Sequence, residues 1–186
     1  SSEDLGTSPQ SYVGSGDCQC NYDKKTNLET GWTALAEFLH AANARLGQAH
    51  PDIVKCLDAR MAVPDFVIYL VGTCLIANAD HPAKNYLVMR YADRDLFSMA
   101  PWDLDLVWGR NYDLSGGVYN DTIRYDVHPF IATQTHPKID GPWNRVITQF
   151  LNQPVYTEMY YARLKQLVDG YFTTENFYPR MEALRE

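Results

Sequence analysis

Residues 78–109 read NADHPAKNYLVMRYADRDLFSMAPWDLDLVWG, and their reading decides the fold. The stretch ends on PWDLDLVWG (101–109), where Asp103 and Asp105 sit inside an apolar, aromatic run. A carboxylate taken out of water is costly unless it is paired, hydrogen-bonded or bound to a cation. The pattern therefore predicts that these two charges are compensated, by a ligand or by neighbours.

Just upstream of that run, YLVMRY (86–91) and LFSMA (96–100) are short apolar segments separated by the charged turn ADRD. That layout predicts a β-hairpin. Before it, Pro64-Asp65 opens a segment that is apolar almost all round from Phe66 to Ala77, the pattern of a helix at the buried centre of a domain. Asp80 and Asn85, with four residues between them, occupy the connection from helix to hairpin.

The order Asp80, Asn85, hairpin, Asp103 is the layout of a protein-kinase catalytic core, where a catalytic Asp, a metal-binding Asn, a hairpin and a second metal-binding Asp follow one another. The chemistry accounts for the residue types. Phosphoryl transfer needs a carboxylate to orient the attacking hydroxyl and accept its proton. It also needs hard oxygen ligands for the cation that bridges the nucleotide phosphates. Each residue also has a plainer reading: Asp80 as an Asx-turn residue, Asn85 as the start of a strand, Asp103 and Asp105 as a solvent-facing pair on one side of a strand.

On these residues the chain resembles the spore coat protein H (CotH) kinase-like family, with its N-x-D element, its strand after the Asn, and its PWD-x-D segment closed by a Gly. The likeness runs from about residue 20 to 186, through YDKKTNLETGWTALAEFLHAAN and the C-terminal helical segments. It implies an α+β, mainly helical, atypical protein-kinase-like C-terminal lobe, with a small β-hairpin carrying the active-site loops. It implies transfer of the ATP γ-phosphate to Ser or Thr of a protein substrate, a coat or surface protein, with Mg²⁺ or Mn²⁺. Asp80 would be the catalytic Asp, Asn85 and Asp103 the ligands of nucleotide-bound metal, and Asp105 a further metal-site residue in a supporting role. The setting implied is the spore coat, the cell surface or the secreted fraction. Residues 1–27 would be a polar arm or inter-lobe connection, and 28–186 the lobe, open to truncation at both ends. No Gly-rich loop and no V-A-I-K-like strand precedes the first helix. The alternative is a non-catalytic kinase-like surface or coat interaction module.

Outside the central stretch the sequence reads as mostly helical. Residues 28–47 carry apolar side chains at helical spacing, with Gly47 as C-cap, and 51–58 form a short helix. Residues 110–141, rich in Gly, Asp and Asn, read as a long surface loop. Residues 142–152, 154–172 and 173–186 read as three amphipathic helices, the second ended by Gly170 and the last capped by Thr173 or Thr174. Trp102 and Trp108 are expected to be packing residues rather than a stacking platform, and Cys74 a small core residue.

The bulk numbers exclude some classes. The chain has 186 residues, a net charge of −7 and 13 tyrosines. An acidic surface repels a phosphate backbone, so nucleic acid is not an expected partner. No apolar run is long enough to span a membrane, and SSEDLGTSPQ has no apolar core of a signal peptide. Cys18, Cys20, Cys56 and Cys74 show no zinc spacing.

Overall fold

The computed structural model describes residues 25–43, 51–78, 85–105, 107–108, 111–112, 118–120 and 145–185. The described residues are mainly helical with small antiparallel sheets, an α+β arrangement. The elements are α1 (Thr33–Asn43), α2 (Pro51–Arg60), α3 (Val63–Leu75), β1 (Tyr86–Tyr91), β2 (Leu96–Pro101), β3 (Asn111–Tyr112), β4 (Val118–Asn120), α4 (Arg145–Leu151), α5 (Pro154–Tyr171) and α6 (Thr174–Ala183).

Helix α3 is the centre, as its all-round apolar pattern predicts. Phe66, Leu70 and Val71 are fully buried, and α3 packs against both α5 and β2. Pro64 falls in its first turn, where the missing N–H leaves no intrahelical bond unmade. Around α3 the core is aromatic. Phe66 meets Phe150 of α4 edge to face at 4.8 Å, and Phe150 stacks on Tyr156 of α5 at 4.2 Å. Such ring pairs add about 0.5–1.5 kcal/mol each beyond the area they bury. The Tyr156 hydroxyl donates to Asp58 Oδ1 at 2.8 Å and lies 3.0 Å from the Val54 carbonyl, tying α5 to α2.

The β1–β2 hairpin forms where expected, in the register Tyr86↔Pro101 to Tyr91↔Leu96. Its turn closes with the Asp95 N–H on the Tyr91 carbonyl at 2.8 Å and Asp95 left-handed at φ 54°, a conformation that Asp tolerates better than most residues. The hairpin is bolted to the helices through Phe97. Its carbonyl accepts from Ala62 N–H at 2.8 Å, and its ring stacks on Phe38 of α1 at 4.7 Å.

Several boundaries differ from expectation. Helix α1 begins only at Thr33, since residues 28–32 lie in a turn and bend. Helix α5 runs through Gly170 to Tyr171 rather than ending at it. Within the expected long loop, β3 and β4 pair as a second, irregular antiparallel ladder. Cys74 is half-buried against the core rather than inside it. The Gly47 cap, most of the polar arm, the remainder of 110–141, Cys18 and Cys20 lie outside the described residues. No helix among the described residues is long and apolar enough to cross a membrane.

Candidate active site

The site is built from the end of α3, the start of β1 and the segment that follows β2. Helix α3 ends in a Schellman motif. The Asn78 N–H donates to the Thr73 carbonyl at 3.0 Å and the Ala77 N–H to the Cys74 carbonyl at 2.9 Å. The motif needs a left-handed residue at its corner, normally Gly. Here it is Ala77, at φ 47°.

Asn85 stands just before β1 and is also left-handed, at φ 60°. Its carbonyl accepts from the Trp102 N–H at 3.0 Å. That bond holds Asn85 beside the chain entering Asp103, which is itself left-handed at φ 55°. At the far end of the segment the Trp108 N–H donates to the Ile76 carbonyl at 2.7 Å, with Trp108 at φ 59°. Backbone hydrogen bonds thus stitch together the α3 terminus, Asn85 and residues 102–108. Of the six left-handed non-glycine residues among those described, four are Ala77, Asn85, Asp103 and Trp108. Backbone conformations of this kind cost on the order of 1–3 kcal/mol each and gather at active sites and ligand clamps.

The expectation of buried charge in 101–105 is corrected by the structure. Asp103 and Asp105 are both exposed, and so are their apolar neighbours, Trp102 at 61% and Leu104 at 44%. The strand ends at Pro101, and beyond Trp102 the chain enters a turn. The two carboxylates therefore do not alternate along a strand. Trp102 is not a packing residue. Trp108 is 54% exposed and lays its ring 6.3 Å from Phe177 of α6.

The backbone bond sets Asn85 beside Trp102, the residue before Asp103, with Asp105 two residues further along the same turn. Asp80 lies outside the described residues. The amide oxygen of Asn85 and the carboxylates of Asp103 and Asp105 are hard oxygen donors, the set that suits Mg²⁺ or Mn²⁺. Among the described residues, no group of three or more His, Cys, Asp or Glu could by itself hold a metal ion. The ties at Ala77, at Ile76–Trp108 and at Phe177 carry no sequence signal that would have marked them beforehand.

The geometry is that of an exposed loop site, tied by backbone hydrogen bonds, on a mainly helical α+β fold. The family described as CotH kinase protein matches residues 9–186, and the chain belongs to that family. It is similar to the inner spore coat protein H of Bacillus subtilis (strain 168), 24% identical over 169 residues, which covers 90% of this chain and 41% of the relative. The chain thus spans about two fifths of the length of the curated relative it matches.

Proposed function

We propose that this chain carries the catalytic-loop lobe of an atypical protein kinase, which transfers the γ-phosphate of ATP to Ser or Thr of a protein substrate. The observation that carries the reading is the stitching of Asn85 and Asp103, both left-handed, through the Trp102–Asn85 backbone bond at the mouth of the hairpin. It is supported by membership of the CotH kinase family.

In this reading Asp80 accepts a hydrogen bond from the substrate hydroxyl, orients it and takes its proton as the bond to phosphorus forms. The Asn85 amide oxygen and the Asp103 carboxylate hold Mg²⁺ or Mn²⁺, and Asp105 supports them from the same turn. A cation held there would offset the negative charge that develops on the phosphates during transfer. Asp103 and Asp105 both lie on the solvent-exposed surface, from which a nucleotide would arrive.

A second reading, a kinase-like module that binds coat or surface proteins without turnover, is favoured by the exposed Trp102 and Leu104 beside the carboxylates. The name of the relative, an inner spore coat protein, supports a coat setting under either reading.

Calorimetric titration of ATP with and without Mg²⁺, in the unmutated protein and in Asp103→Asn, tests the kinase reading. Cation-dependent binding that is lost in the variant is expected. Cation-dependent binding of equal strength in both would overturn the assignment of Asp103. Absence of nucleotide binding by the full-length gene product would leave the binding module as the better reading.

A further inference from the structure

We infer that the corner between α5 and α6 props the candidate cation loop, with Phe177 as its positioning residue. The inference rests on the kinase reading only for what the loop holds; the prop itself rests on contacts.

Asp103 and Asp105 lie between two backbone pegs, Trp102 on Asn85 and Trp108 on Ile76. The second peg is built on a bulky residue in the left-handed region. Such a conformation persists only where the surroundings over-determine it. The surroundings at Trp108 include Phe177, whose ring centre lies 6.3 Å away at 50°.

Phe177 is itself held from several sides. Its ring stacks on Phe172 at 4.8 Å and 22°, and its N–H donates to the Thr173 carbonyl at 2.8 Å. The Thr173 hydroxyl caps α6 by accepting from the Asn176 N–H at 3.3 Å. The Asn176 side-chain amide reaches back to the Gly170 carbonyl at 2.8 Å. Arg180, one turn further on, lies over the Tyr171 ring at 5.7 Å. These local bonds hold the corner together on the exposed side of the molecule. An aromatic face against Trp108 narrows the excursions of the loop, and pre-ordered ligands bind a cation more tightly than ligands that must be ordered on binding.

The test compares the unmutated protein with Phe177→Ala, Phe177→Leu and Phe177→Tyr by amide hydrogen exchange and by Mn²⁺ titration. Leu retains apolar bulk, so it guards against a general loss of folding. In Phe177→Leu the Trp108 amide is expected to exchange roughly tenfold faster, the scale of one lost aromatic pair, while α3 amides are unchanged. The Mn²⁺ half-saturation concentration rises in parallel, the melting temperature stays in place, and Phe177→Tyr restores both values. Unaltered Trp108 exchange in both Phe177→Ala and Phe177→Leu would overturn the prop. A protein that binds no Mn²⁺ in any form would overturn the kinase reading instead, and the exchange data would still decide the prop.

Discussion

The backbone N–H of Trp102 donates to the carbonyl of Asn85 at 3.0 Å, closing the open end of the hairpin. The bond follows from the alternation of the ladder. Phe97 turns its carbonyl away from β1 to Ala62, so Ser98, Ala100 and Trp102 are the residues whose backbone faces β1, and Trp102 meets Asn85 one step beyond Tyr86 and Pro101. Asn85 and the residue before Asp103 are thereby held together at the point where β1 begins and β2 has ended.

This pairing separates backbone effects from ligand effects at Asn85. Glycine adopts the left-handed region without penalty. Asn85→Gly is expected to change unfolding free energy by less than about 0.5 kcal/mol while abolishing Mn²⁺ binding. Asn85→Val, whose branched side chain resists that conformation, costs about 1–2 kcal/mol. Urea denaturation beside Mn²⁺ titration checks both; retained Mn²⁺ binding in Asn85→Gly would remove Asn85 from the cation site.

Ala77 occupies the Schellman corner at φ 47°, where its Cβ is a burden. Ala77→Gly is expected to stabilise the protein by up to about 1 kcal/mol, because the relief outweighs the extra freedom Gly brings to the unfolded chain. An upward shift of the urea midpoint at constant slope is the expected result.

Ser98 of β2 is buried, and its hydroxyl has no hydrogen-bond partner among the described residues. It borders a small void lined also by Phe38, Phe97 and Val146. An unsatisfied buried hydroxyl works against folding, so Ser98→Ala is expected to be neutral or stabilising, by up to about 1 kcal/mol. A melting temperature several degrees lower would show that the hydroxyl has a role in the folded protein.

Burial pushes the Tyr69, Tyr156 and Tyr160 phenols well above the ordinary tyrosine range. Tyr156 is pushed further by its bond to Asp58, and Tyr160 by its bond to Cys74. Unfolded tyrosines lose their protons near pH 10. Above that the unfolded state binds fewer protons than the native one, so stability present below pH 10 falls as pH rises. Absorbance at 295 nm is expected to show these three phenols withheld from titration until the protein unfolds in alkali.

Local signals in the chain were enough to specify much of this protein. The unbroken apolar run after Pro64 marked the central helix, two apolar runs around ADRD marked the hairpin, and the Thr173-Thr174 pair marked the start of α6, with the choice between the two left open. The neighbourhood of Asn85 and Asp103 was also legible, because a hairpin of set length returns its end to its beginning. Periodicity and turn length act between residues close in sequence, so they can be read without coordinates. Tertiary structure alone decided the exposure of Asp103 and Asp105, which depends on where the ladder runs out at Pro101. It also decided the left-handed set at Ala77, Asn85, Asp103 and Trp108, the meeting of Trp108 with Phe177 and the Tyr156–Asp58 tie. These depend on segments far apart in sequence competing for the same hydrogen bonds and ring faces, and no local pattern records the outcome.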